Sequence, residues 1–180
     1  MSKLVNDLEL IDQVKKGDLK AFKTLVEEYE KPISNVVIGL LGDTPEAEEV
    51  GQEVFLKFYM KIDSFRSDSS LRTYLTRIAI NLSLNELKKR KKNRERFVYE
   101  EDISFQPGFD ENDSNELKEV VEKALQKLNP SLRAVTILRM IEGYSTKETA
   151  KILKIPTGTV LSRLSRAQEK LKHILKEYMK

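Results

Sequence analysis

The sequence predicts an all-α protein: two small helical domains joined by an acidic, flexible linker, the second domain containing a helix-turn-helix. Three observations predict it. Apolar residues recur at steps of three and four along most of the chain, the period of helices with one buried side. Proline and glycine interrupt that period at intervals that separate one helix from the next. Charge is divided by position: residues 1–98 hold 18 Lys/Arg against 16 Asp/Glu, residues 99–116 none against seven, and residues 117–180 14 against six. A mixed first domain, an acidic linker and a basic second domain follow from that division.

Composition removes several function classes. The chain has no Cys, which excludes disulfides and thiolate metal sites and fits a reducing cytosol. No run approaches eighteen apolar residues, so no transmembrane helix and no membrane insertion is expected. Asn6, Asp7 and Glu9 interrupt any signal-peptide core, and a cytoplasmic, soluble protein is the expectation.

In chain order, Leu4, Leu8, Ile11 and Val14 mark a first amphipathic helix, which Gly17 ends. Asp18 is placed to cap the next helix, which runs from Leu19 to about Leu41 through Phe22, Leu25, Val26, Tyr29, Ile33, Val36 and Val37. Pro32 inside it predicts a kink or a division. Gly42-Asp43-Thr44-Pro45 is a turn, with Pro45 suited to a first helical position, and a third helix follows over 46–62. Val50, Val54, Phe58 and Met60 suit a core there, while Glu46, Glu49, Gln52 and Glu53 make an acidic stripe. That stripe reads equally as a solvated surface or as a docking face for a basic partner.

Asp63 to Ser70 is a polar loop. After it one long helix is expected over 71–96, with Leu71, Leu75, Ile78, Ala79, Leu82 and Leu87 on its apolar side. Thr73, Arg77 and Asn81 line up on another face. The helix ends in seven basic residues out of nine, Lys88 to Arg96. The helix macrodipole favours cations only in the last turn, so phosphate is the better account of this run, with an anionic membrane surface as the rival. The 18 linker residues, 99–116, reach at most about 60 Å, enough to let two domains sit on separate DNA segments.

The second domain begins with a helix over 117–128, broken at Asn129-Pro130-Ser131. A helix over 132–142 follows, with Val135, Leu138 and Ile141 inward and Gly143 closing it. Thr146 to Leu153 then forms a short helix with Thr149, Ala150 and Leu153 inside, and Pro156 ends it at Ile155. Thr157 or Thr159 is placed to cap a last helix whose apolar side is Val160, Leu164, Ala167, Leu171, Ile174 and Tyr178. Short helix, tight turn and longer helix is the helix-turn-helix layout, although a plain helical hairpin shares the period. The basic charge of this domain favours DNA.

No catalytic constellation is present: there is no Gly-rich phosphate loop and no HExxH. Asp63 and Asp68 lack the further ligands a metal site needs, and the single histidine, His173, reads as a surface residue. No enzyme activity and no cofactor is expected.

Six stretches together resemble the extracytoplasmic-function (ECF) sigma factors of bacterial RNA polymerase. They are GDLKAF at 17–22, AEEVGQEVFLK at 47–57, FRSDSSLRTYLTRIAINLSLNELKKRKK at 65–92, ALQKLNPSLRAV at 124–135, EGYSTKETAKIL at 142–153 and PTGTVLSRLSRAQEKL at 156–171. The pieces stand in the family's order and spacing across nearly the whole chain. The resemblance implies a factor that binds core RNA polymerase at its clamp and flap and gives it promoter specificity, and it implies an anti-sigma partner. It makes 1–98 the region 2 domain, 99–116 the linker and 117–180 the region 4 domain. Glu49, Gln52, Glu53 and Leu56 would dock on the clamp. Asp63, Phe65, Arg66 and Ser69 fall in the loop that takes up a flipped −10 base; Arg72, Thr73, Arg77, Asn81, Asn85, Lys88, Lys89 and Arg90 would lie along −10 DNA. Thr159, Leu161, Ser162, Ser165 and Arg166 would face −35 base edges, with Lys147, Arg163 and Lys170 on phosphates. Two departures stand out: Tyr74 where the family often has Trp, and Leu161 where it often has Lys or Arg. The alternative is a helix-turn-helix regulator that acts on duplex DNA alone.

Overall fold

The computed structural model describes residues 3–97 and 113–178. Among them the elements are helical: α1 (Lys3–Lys15), α2 (Leu19–Leu41), α3 (Pro45–Met60), a 3₁₀ turn (Ile62–Ser64), α4 (Leu71–Phe97), α5 (Asp113–Gln126), α6 (Pro130–Thr136), a π turn (Ile137–Ile141), α7 (Thr146–Leu153) and α8 (Thr157–Tyr178). Most of the acidic linker lies outside the described residues. Its last four residues belong to α5, which starts at Asp113 rather than near Leu117.

Local chemistry sets the helix ends. The Asp18 carboxylate accepts from the N–H groups of Lys20 and Ala21, and the Thr44 hydroxyl from that of Ala47, with Pro45 in the first turn of α3. Pro32 removes one intrahelical hydrogen bond, yet α2 runs unbroken past it. Tyr29, Ile33, Val36 and Val37 are buried on either side of Pro32 and hold both halves of the helix to one core. α1 is pinned to α2 by a buried bond in which the Tyr29 hydroxyl donates to Asp7 at 2.7 Å.

Two core expectations and one capping expectation need correction. Met60 is 82% exposed, because it follows Phe58 by two residues, about 200° around the helix, and so points away from the buried side. Ile141 is also exposed: the π turn inserts an extra residue into the winding, with the Glu142 N–H bonded to the Ile137 carbonyl at 2.9 Å, and rotates Ile141 out. α8 starts at Thr157, so Thr157 and Thr159 are both helical and neither is the residue before the helix.

The two halves of the chain share one apolar core, in which α2 residues pack with Leu125, Leu128, Ile137 and Leu138. Gly39 permits the closest approach. A Cβ there would lie 2.9 Å from Ile137 Cδ1. Arg133, 5% exposed, reaches across and donates to the Leu40 carbonyl while also bonding the carbonyls of Gln126 (2.6 Å) and Leu128 (2.9 Å). Gln126 donates to the Gly39 carbonyl at 3.1 Å. The last carbonyls of α2, left without helical partners, are thus capped by side chains of the second half.

Candidate nucleic-acid interface

The helix-turn-helix is built on a second small core of Val135, Ala150 and Val160, with Leu153, Ile155 and Leu164 against it. α7 opens with a capping box: the Ser145 hydroxyl accepts from the Glu148 N–H at 3.2 Å, and the Glu148 carboxylate accepts from the Ser145 N–H at 2.8 Å. The Ser145 hydroxyl, and then its N–H, hold the Glu148 carboxyl below its ordinary pKa. Lys154 turns the chain in the left-handed conformation (φ 53°), where a non-glycine residue is uncommon. α8 buries Val160 and Ala167. Its opposite side presents Leu161, Ser162, Ser165 and Arg166 to solvent as one strip, with Thr159 and Arg163 half-buried at the margin. Lys147 and Lys170 are exposed on either helix.

In the first half, α4 presents Asn81, Asn85, Lys88 and Lys89 on its surface, while Arg77 is half-buried. The loop before it exposes Asp63 and Arg66 and partly covers Ser69. Phe65 is different. It is buried, edge-on to Tyr74 (5.0 Å between centroids) and to Phe58 (6.3 Å), and so is held in the core rather than offered to a base. Thr73 is buried as well, with its hydroxyl 2.9 Å from that of Ser70. Arg90 differs from its basic neighbours: it bonds the Leu41 carbonyl at 3.1 Å, Thr44 at 2.9 Å and Glu46 at 3.2 Å, which closes the α2–α3 turn.

Arg72 meets the second half of the chain. It pairs with the Glu142 carboxylate at 2.8 Å and lies over the Tyr144 ring, 5.1 Å from the centroid. The Tyr144 hydroxyl sits 2.8 Å from that of Thr76. Sequence period could not find these contacts, because they join residues some seventy positions apart.

The outer face of α3 exposes Glu49, Gln52, Glu53 and Leu56. Tyr59 and Met60 are exposed beside them, and an open groove between α2 and α3 is lined by Val26, Ile38, Ala47, Phe55 and Leu56. Acidic and apolar groups therefore alternate on this face. Leu56 and Met60 stand two residues past buried Val54 and Phe58, a spacing that would have marked both as outward.

Residues 25–93 match the family described as sigma-70 region 2, and residues 118–171 match sigma-70 region 4. The ECF RNA polymerase sigma-E factor of Escherichia coli K12 is 36% identical over 94% of this chain and 94% of its own length. This chain is an ECF sigma factor. Further relatives of this sigma factor are the RNA polymerase sigma-H factor of Pseudomonas aeruginosa, 34% identical over 97% of this chain and 96% of its own, and the ECF sigma factor SigW of Bacillus subtilis, 33% identical over 93% and 95%. Among solved structures, the sigma factor RpoE in complex with the anti-sigma factor NepR from Bartonella quintana superposes with a TM-score of 0.70 at 29% identity, covering 87% of this chain and 98% of that one. CnrH in complex with the cytosolic domain of CnrY shares the fold at the same TM-score and 24% identity, covering 96% and 98%. Sigma factors are transcription initiation factors rather than enzymes, and they partner with core RNA polymerase and promoter DNA. Among the described residues no helix is long and apolar enough to cross a membrane.

Proposed function

We propose that this sigma factor places core RNA polymerase on promoters by dividing the work between its halves. Residues 117–180 read the −35 element as duplex, and residues 1–98 hold the opened −10 element. The exposed strip of Leu161, Ser162, Ser165 and Arg166, standing opposite the buried side of α8, carries the first assignment. A helix of this width enters the major groove, where Arg donates twice to guanine and Ser serves either base. Asp63, Arg66 and Ser69 in the loop, with Asn81, Asn85, Lys88 and Lys89 along α4, support the second. An extruded base gains a pocket that offsets its lost stacking, and the lysines supply affinity through counterion release.

The alternating acidic and apolar face of α3 suits the clamp of the polymerase, through Glu49, Gln52, Glu53 and Leu56. The likeness to RpoE bound to NepR supports an anti-sigma partner for this chain as well. Run-off transcription with purified core enzyme and promoters recovered from cells tests the reading. The factor should raise initiation on those promoters, and an absence of any gain would reject it. Replacing Lys88, Lys89, Lys91 and Lys92 with Ala should flatten the dependence of holoenzyme binding on salt.

A further inference from the structure

One outward side chain of α8 has no hydrogen bond to give. Leu161 is 56% exposed and stands beside Ser162, about one turn before Ser165, on the same outward side as Arg166. Packing does not require it there. Val160 and Ala167 are fully buried on the other side, and Leu164, Leu171 and Ile174 complete that face. Of the large apolar side chains exposed among the described residues, Leu161 alone lies on the second helix of the helix-turn-helix. A branched aliphatic group is thus set within a strip of hydroxyls and a guanidinium, on the most basic third of the chain.

The major-groove edge of a base pair presents one methyl group, the 5-methyl of thymine. We infer that Leu161 is a specificity-determining residue that packs on the 5-methyl of a single thymine in the duplex element. This rests on the assignment of α8 to duplex DNA and deepens it. Four residues, about 6 Å along the helix axis, separate Leu161 from Ser165, and base pairs rise about 3.4 Å each. Ser165 and Arg166 therefore fall one or two base pairs from the thymine that Leu161 touches. The preferred duplex of this chain therefore carries a thymine that a Lys or Arg at the same place would not select.

Holoenzyme assembled from the full chain and core polymerase would first select duplexes from a random pool. Each thymine of the selected duplex would then be replaced by uracil, which removes the methyl group and keeps the pairing. One position should lose about four-fold in affinity, the worth of one buried methyl. Holoenzyme with Leu161→Ala should bind the thymine and uracil forms of that duplex equally well. Leu161 is exposed, so the variant should keep the parent's thermal unfolding. Insensitivity of the parent to every replacement overturns the inference. So does a Leu161→Ala protein that keeps the thymine-to-uracil penalty while losing affinity on all duplexes, which would set Leu161 against protein. Failure to select any duplex sequence rejects the reading of α8 itself, and is distinct because no preference remains to dissect.

Discussion

Replacing Arg133 with methionine keeps most of the side-chain volume and removes every donor. In the folded chain the guanidinium serves three backbone carbonyls, of Leu40, Gln126 and Leu128, and the side-chain oxygen of Gln126. Burial lowers its pKa to about 10, so it is still cationic at neutral pH and its bonds are charge-assisted. Leaving buried carbonyls without that donor costs about 1–3 kcal/mol each, and part is returned because a desolvated cation is no longer buried. The net loss expected from Arg133→Met is about 2–4 kcal/mol, read as a lower urea midpoint at unchanged slope. The Leu40 carbonyl belongs to α2, so the variant should also loosen the two halves. The chain has no Cys, and cysteines placed at exposed Gln13 and Lys172 give unique sites for a fluorescence donor and acceptor. Energy transfer between them should fall in the variant. A stability change under about 0.5 kcal/mol with unaltered transfer would refute the view that Arg133 bridges the halves.

Gly39→Val forces a side chain against Ile137 and should cost about 1–3 kcal/mol; combined with Ile137→Ala it should be more stable than the two single effects predict, measured as a double-mutant cycle. Lys154→Gly relieves the left-handed conformation in the turn between α7 and α8 and should stabilise the chain by about 0.5–1 kcal/mol in thermal unfolding. Burial, and for Tyr29 also its bond to Asp7, raises the pKa of Tyr29 and Tyr144 above the ordinary tyrosine value. The unfolded chain then releases these protons first, so stability present below about pH 10 should be lost as pH rises beyond it. Tyrosine absorbance followed with pH should show two of the six tyrosines ionising only as the helices unfold. Arg166→Ala should weaken holoenzyme binding by about 1–3 kcal/mol on the preferred duplex and less on others; equal loss on all sequences would put Arg166 on phosphate.

Local signals carried most of the fold. Asp18 and Pro45 each announce a helix start through chemistry that acts within three residues, and both stand where they were expected. The Thr44 cap and the Ser145–Glu148 capping box use the same local chemistry but went unread. The strip on α8 was legible for the same reason, since a period of 3.6 assigns Leu161, Ser162, Ser165 and Arg166 to one side once Val160 and Ala167 are placed inside. What escaped had non-local causes. Pro32 predicts a kink or a division, and the helix is not divided, because tertiary burial of Tyr29 and Ile33 overrides one lost hydrogen bond. Ile141 has the right spacing and the wrong direction, because the π turn changes the winding beneath it. Phe65 sits in a polar loop, and only the fold shows that Phe58 and Tyr74 bury it. Arg133 is an ordinary basic residue in sequence; its bridging role depends on the Leu40 carbonyl, 93 residues earlier.

The pairing of the two halves bears directly on the −10 assignment. One terminal nitrogen of the Arg72 guanidinium is 2.8 Å from the Glu142 carboxylate and the group lies over Tyr144, while the side chain stays 42% exposed. Thr76, bonded to the Tyr144 hydroxyl, is engaged in the same way. Much of the contact between the halves is polar: Arg72 to Glu142, Thr76 to Tyr144, Gln126 to the Gly39 carbonyl and Arg133 to the Leu40 carbonyl. Such bonds are exchanged for bonds to water when surfaces part, at a net cost of only about 0.5–1.5 kcal/mol each for the neutral ones. Apolar packing between the halves extends beyond Ile137 against Gly39, since Leu125, Leu128, Leu132 and Leu138 belong to the same buried core as the α2 residues. A joint of this composition, part polar and part buried core, fixes a definite arrangement. On the −10 role that the family resemblance implies for Arg72, engagement with DNA exchanges its bond to Glu142 for one to a phosphate.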